Sequence, residues 1–248
     1  MSMDVKDKVV VITGGKRIGR VVAQQLADRG GHLVLSYRGS KQEADDTVAD
    51  VKARGRCAIA VAADVSRATD CAALMASALD RFGRIDAVVN MASVYGSTPF
   101  DELTEASWDR DLNINLKSAF LCAKAAIPAM RASGGGRIVN FADWLARSGR
   151  PAYRGFTSYF VAKAGIIALT ESLALELAAD QILVNAIAPG PILPPPDMDP
   201  EEVAAVARVT PVGRWGGEIE IAKAVLSLIE TDFITGETIR VDGGRHLG

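Results

Sequence analysis

Histidine is nearly missing from this chain: His32 and His246 are the only two. A Ser-His-Asp relay or a histidine-rich metal centre therefore has little to be built from, and no metal site is expected. The three cysteines, Cys57, Cys71 and Cys122, are scattered and lack zinc or redox spacing, so they read as free interior thiols. No apolar run is long enough to cross a bilayer. The opening Met1-Ser-Met-Asp-Val-Lys lacks the apolar stretch of a signal peptide. The formal charge is only −2, which leaves no electrostatic footprint for nucleic acid. A cytoplasmic protein with neither membrane nor nucleic-acid partners is expected. Its proton chemistry must rest on Tyr, Lys, Asp or Glu.

What is present in quantity is apolar residue, 49% of 248 positions, enough to bury a substantial core. These residues fall into segments of alternating type. Val9-Val-Val-Ile-Thr is an apolar, β-branched run, the pattern of a strand covered on both faces. A glycine-rich turn and a helix from Ile18 to Arg29 follow. Further strands are expected at Leu33–Ser36, Cys57–Ala62, Ala87–Asn90, Arg137–Phe141, Ile182–Ile187 and Thr238–Val241. Helices are expected at Lys41–Arg54, Arg67–Phe82, Ser107–Arg131, Tyr159–Ala179, Glu201–Arg208 and Ile219–Ile229. The proline-rich stretch Pro191–Pro200 is incompatible with regular structure. Strict alternation with no linker predicts α/β architecture: a single-domain, Rossmann-type, doubly wound parallel sheet with helices on both faces.

Ligands in such sheets bind beyond the carboxyl ends of the strands. That rule selects Thr13–Gly19, Tyr37-Arg38, Asp64, Asn90–Tyr95, Asp143 and Pro189-Gly190. Thr13-Gly14-Gly15-Lys16-Arg17-Ile18-Gly19 joins the first strand to the first helix, where glycines admit a pyrophosphate to the backbone and the helix start offers free N–H groups. The end of the second strand, Ser36-Tyr37-Arg38-Gly39-Ser40-Lys41, lacks the acidic residue that holds the ribose of NAD. With Lys16 and Arg17 nearby, the positive charge there favours a 2′-phosphate, and hence NADPH.

Tyr159 and Lys163 are four residues apart on an expected helix, which puts them on one face within reach of one ligand. An ammonium beside a phenol lowers the phenol's pKa. The pair is therefore expected to pass a proton near neutral pH.

At this point the chain resembles the short-chain dehydrogenase/reductase family, nearly end to end. The resemblance is carried by the Thr13-Gly14 loop, Asp64-Val65, Asn90-Met91-Ala92-Ser93, Asn115 in Asn-Ile-Asn-Leu-Lys, Tyr159/Lys163 and Pro189-Gly190. It implies catalytic roles for Tyr159, Lys163 and Asn115, the last holding a helix kink and a relay water. It implies cofactor contacts from Gly14, Lys16, Arg17, Ile18, Gly19, Tyr37, Arg38, Ser40, Asp64, Val65, Asn90, Ala92, Tyr159, Lys163, Pro189, Gly190 and Ile192. Two departures resemble the pteridine reductases, including the bacterial dihydromonapterin reductases. Asp143 stands where the family's catalytic serine is usual, and the middle glycine of the loop is replaced in Lys16-Arg17-Ile18-Gly19. That likeness implies a pterin held by Arg17, Ser93, Tyr95, Asp143 and Trp144, with the Tyr95 ring stacked on it. The ending Asp242-Gly-Gly-Arg-His-Leu resembles the bacterial members too. The glycine loop is one residue shorter than the family pattern. Asp143 precedes Tyr159 by sixteen residues, more than is usual, which predicts a longer loop near the pocket within Arg147–Thr157.

The expected activity is thus NADPH-dependent reduction of a dihydropterin C=N bond, with hydride delivered to carbon and a proton to nitrogen. An alternative needs only Tyr159, Lys163 and the loop: an NADPH-dependent carbonyl reductase acting on 3-oxoacyl thioesters or small ketones. A third reading is a non-enzymatic nucleotide sensor on the same fold. The segment 191–208 is expected to cover a small-molecule substrate. By resemblance, the chain forms a homotetramer.

Overall fold

Successive residues of Val9–Thr13 (β1) point to opposite sides of the sheet, and all five are buried. Val10 and Ile12 join one apolar cluster and Val9 and Val11 another, so the sheet is covered on both faces. The protein is described by a computed structural model covering residues 3–148 and 153–247. The expected long loop after Arg147 falls partly on 149–152, outside the described residues, as do Met1 and Ser2 of the opening segment and residue 248 of the expected domain.

The elements follow in order as α1 (Ile18–Asp28), β2 (His32–Tyr37), α2 (Lys41–Ala53), β3 (Ala58–Ala62), α3 (Ala68–Phe82), β4 (Ala87–Asn90) and α4 (Glu105–Leu112). Then come α5 (Ser118–Ala132), β5 (Gly136–Phe141), α6 (Trp144–Ser148), α7 (Thr157–Leu177), β6 (Ile182–Pro189), α8 (Pro200–Arg208), α9 (Glu218–Glu230) and β7 (Thr238–Val241). The sheet has seven strands in the order β3-β2-β1-β4-β5-β6-β7, and each neighbouring pair runs parallel. One face carries α1 and α9, whose Val22, Leu26, Ile221, Val225 and Ile229 pack on Val10, Ile12, Leu33 and Val139. The other carries α3, α5 and α7, with Leu74, Met75, Cys122, Met130 and Leu177 against Val9, Val11, Val88 and Ile138. Strand order reverses between β1 and β4, and a crevice opens there beyond the strand ends.

Three details differ from the expected elements. The helical stretch expected over 107–131 begins at Glu105 and consists of α4 and α5, with a π-helical turn at Asn113–Lys117 where the resemblance implied a kink at Asn115. Such turns interrupt a helix where a side chain is needed elsewhere. A short helix, α6, stands in the stretch after Asp143, where no element was expected. Helix α8 begins at Pro200, whose fixed φ suits the first helical turn, with Asp199 capping it.

Gly14 is required at the crossing of β1 and the loop after β4. Its φ is +77°, and an added Cβ would lie 2.9 Å from the Ala92 Cα and N. Left-handed strain and overpacking each cost about 1–3 kcal/mol. Gly14→Ala is therefore expected to lower Tm by more than about 5 °C in a thermal melt, given about 2–4 °C per kcal/mol for a domain this long.

Candidate active site

The crevice at the β1/β4 reversal is a cavity of about 380 Å³ lined by the glycine loop, the end of β2 and the loops after β3 and β4. Of the residues expected to hold a nucleotide, Gly14, Lys16, Tyr37, Arg38, Ser40, Asp64, Val65 and Ala92 line it. A Cβ added to Gly15 would meet nothing within 4 Å, so the loop backbone faces open space at the head of α1. Two cations stand at the rim. The Lys16 ammonium is 2.7 Å from Glu43 and the Arg38 guanidinium is 4.0 Å from Asp64. Asp64 accepts from the Ser66 hydroxyl and backbone N–H, which hold its carboxyl below the usual carboxylate range.

Other expected contacts form the frame behind this lining. An added Cβ on Gly19 would touch the Gly14 carbonyl at 2.7 Å, and one on Gly190 would lie 2.5 Å from the Asp242 Cβ. Ile18 and Ile192 pack into the core, and Pro189 ends β6. Asn90 is buried, donating to the Asn140 Oδ1 at 2.9 Å, while its own Oδ1 has no partner among the described residues. Arg17 lines neither cavity. Its guanidinium donates to the Pro194 carbonyl at 3.2 Å, tying the glycine loop to the 191–208 segment. Its φ of +48° is a left-handed value that glycine adopts with less strain than arginine.

Beside this groove lies a second cavity, of about 300 Å³. Asp143, Tyr159 and Lys163 meet in its wall. The turn after β5 presents Asp143, whose Oδ1 accepts from the Leu145 N–H at 2.8 Å. Its Oδ2 accepts from the Tyr159 hydroxyl at 3.0 Å. One helical turn on, the Lys163 ammonium donates to the Phe141 carbonyl at 2.8 Å and lies 5.6 Å from the Tyr159 ring centre. Burial pushes the Asp143 carboxyl up and the Lys163 ammonium down to about 8, with the Asp143 charge partly opposing that fall.

The tyrosine departs from expectation. Burial, then the Asp143 charge and the hydrogen bond to it, drive its pKa well above the ordinary value rather than below it. Lys163 faces the Phe141 carbonyl, whereas a carboxylate touches the phenol and opposes its ionisation. At neutral pH Tyr159 is a protonated donor.

Asn115 lies in the π-helical turn. Its Oδ1 accepts from the Ser93 hydroxyl at 2.6 Å and the Val94 N–H at 3.1 Å, and its Nδ2 donates to the Val94 carbonyl. The unwound turn is what aims this side chain at the loop after β4. Ser93, expected at the substrate edge, lines the nucleotide groove instead, with its hydroxyl bound to Asn115.

Tyr95 is on the wall of the second cavity, but its ring stacks on Phe156 with centres 4.7 Å apart and meets Tyr159 edge-on at 5.0 Å. Trp144, expected on that wall, instead lies under the Arg245 guanidinium, and Leu145 and Ala146 of α6 take the wall position. Tyr153, Phe156 and Phe160 complete it. Sequence reasoning missed these three; their signal was the density of aromatic residues just before and within the start of α7.

A parallel sheet with a nucleotide-sized groove at its reversal point, flanked by an Asp-Tyr-Lys cluster, defines a dinucleotide-fold oxidoreductase. The family profile described as enoyl-(acyl carrier protein) reductase matches residues 14–246. The 3-oxoacyl-[acyl-carrier-protein] reductase FabG of Staphylococcus aureus is 35% identical over 97% of this chain and 98% of its own. A putative short-chain alcohol dehydrogenase from Sinorhizobium meliloti 1021 superposes with a TM-score of 0.92 at 32% identity, covering 99% of this chain and 98% of its own. A blue fluorescent protein from a metagenomic library, solved in complex with NADPH, gives 0.90 at 30% identity, over 98% and 99%. The chain belongs to the short-chain dehydrogenase/reductase family and is an oxidoreductase of that family. Among the described residues, no helix is long and apolar enough to cross a membrane.

Proposed function

We propose that the protein is an NADPH-dependent carbonyl reductase. The observation that carries this reading is the Tyr159 phenol, protonated and hydrogen-bonded to Asp143, in the wall of a largely apolar cavity beside the groove. The groove's residues suit an adenine dinucleotide phosphate: bare backbone at Gly15, cations at Lys16 and Arg38, and hydrogen-bonding groups at Ser40 and Asp64. Reduced nicotinamide, when bound, supplies the hydride. The chain's own residues do the rest. Tyr159 gives its proton to the carbonyl oxygen as the carbon is reduced. Asp143, whose proton affinity is raised by burial, is placed to take up a proton from solvent and pass it to the phenolate across the hydrogen bond they share. The Lys163 ammonium offsets the negative charge that accumulates on the pair.

Similarity to 3-oxoacyl reductases supports a ketone as substrate. A second reading, dihydropterin reduction, is favoured by Asp143 itself, since a carboxyl with raised pKa can protonate a ring nitrogen. Two of the polar groups expected around a pterin are engaged elsewhere, however: Ser93 with Asn115 and Arg17 with Pro194.

Initial rates of NADPH oxidation with ethyl acetoacetate, ethyl benzoylacetate, dihydrobiopterin and dihydrofolate separate the readings. Ketone turnover exceeding pterin turnover is expected. Pterin turnover without ketone turnover overturns the proposal, and cofactor binding without hydride transfer to any substrate points to the sensor alternative. For the cofactor, Arg38→Asp is expected to raise KM for NADPH at least about tenfold while KM for NADH changes little, because charge recognition of a phosphate is reversed. Homotetramer formation and a cytoplasmic setting belong to the same proposal by family likeness; size-exclusion chromatography with light scattering tests the first.

A further inference from the structure

We infer that the second cavity selects a compact, uncharged, aromatic ketone over an extended acyl chain or an anionic substrate. The inference rests on the carbonyl-reductase reading and names the substrate class for that site.

Three observations carry it. The first is size. About 300 Å³ is the lower end of the about 300–1,000 Å³ typical of small-molecule sites, which suits a compact group. The second is the wall. Tyr95 and Phe156 stack at 4.7 Å with an interplanar angle of 25°, and Tyr153 and Tyr159 stand edge-on to the Phe156 ring at 6.3 and 6.4 Å. This corner is held by the backbone. The Thr98 N–H donates to the Gly155 carbonyl at 2.7 Å, and Gly155 has a φ of +82°, a left-handed value that glycine adopts without strain. This loop contact lies beside the position where Phe156 stacks on Tyr95. Fixed aromatic faces and edges favour a flat ring, through offset-stacked and edge-to-face contacts, over a chain that must lose torsional freedom to enter.

The third is charge. The only charged groups among the described lining residues are Asp143 and Lys163. Lys163 is buried and already donates to Phe141, while Asp143 presents a carboxylate to the cavity. A carboxylate or phosphate on the substrate would meet the Asp143 charge and, among the described lining residues, no cation that is not already hydrogen-bonded.

The test is a set of matched substrates with the intact enzyme and NADPH. Ethyl benzoylacetate against ethyl acetoacetate reads the aromatic preference. Methyl 4-acetylbenzoate against 4-acetylbenzoate reads the charge. Expected are kcat/KM ratios of at least tenfold in favour of the aryl and the neutral member. In Phe156→Ala the aryl-to-alkyl ratio of kcat/KM falls at least fivefold, with the KM for the aryl ketone rising more than that for ethyl acetoacetate. Phe156→Leu, which keeps an apolar side chain but removes the ring, gives the same direction and stands in if the alanine variant does not fold. A wild-type aryl-to-alkyl ratio at or below one, equal rates for the charged and neutral members, or a ratio unchanged in a folded Phe156 variant overturns the inference. Turnover of ketones without these preferences leaves carbonyl reduction standing; no ketone turnover at all removes the reading beneath it.

Discussion

Tyr159→Phe is expected to lower kcat for ketone reduction by about 10²–10⁴-fold, the usual worth of a positioned general acid. KM for NADPH should stay within about twofold. Among the described residues, the phenol hydroxyl donates to the Asp143 Oδ2. Phenylalanine keeps the ring that Tyr95 and Phe156 contact edge-on, so the wall survives and only the proton is lost. Steady-state kinetics with separate titration of NADPH fluorescence distinguishes the outcomes. A fall below tenfold would mean that the proton arrives by another route, with Asp143 the first group to test.

Asp143→Asn is expected to cost about tenfold to a hundredfold in kcat/KM at neutral pH and to change the shape of the pH profile. In the wild type, Lys163 loses its proton near pH 8, and the Asp143 charge is what keeps that value from falling further. Removing the carboxylate charge lowers the Lys163 pKa again, so the ammonium is lost at lower pH. The alkaline limb of kcat/KM for NADPH, which reports the free enzyme, should therefore move to lower pH. A residue that merely capped the turn through the Leu145 N–H would reduce stability without moving that limb. Asp143→Ser supplies a complementary control: it also removes the charge, so the limb should again move to lower pH.

Much of the architecture could be read directly from the sequence because a doubly covered parallel sheet writes its strands as unbroken apolar runs. Val9–Thr13 and Ala87–Asn90 coincide with the expected strands for that reason. The kink at Asn115 was legible only through the family resemblance, because nothing in the periodicity of Asn-Ile-Asn-Leu-Lys marks a π-helical turn at Asn113–Lys117; the turn accompanies Asn115 bonding the Val94 backbone, a tertiary contact. Spacing placed Tyr159 and Lys163 on one face, and the family resemblance placed Asp143 near them. The sign of the tyrosine shift was lost, since it depends on which group touches the phenol. Arg17 shows the same limit: its charge and position suggested ligand contact, but its direction is set by a carbonyl in a distant proline segment.

The loop after β4 serves both chambers. Ala92 and Ser93 line the nucleotide groove, Tyr95 the neighbouring cavity, and Thr98 anchors the far side at Gly155. Changes along that loop disturb two ligands at once. Tyr153, Phe156 and Thr157 line only the second cavity, so substitutions there would reshape the proposed substrate space without touching the groove.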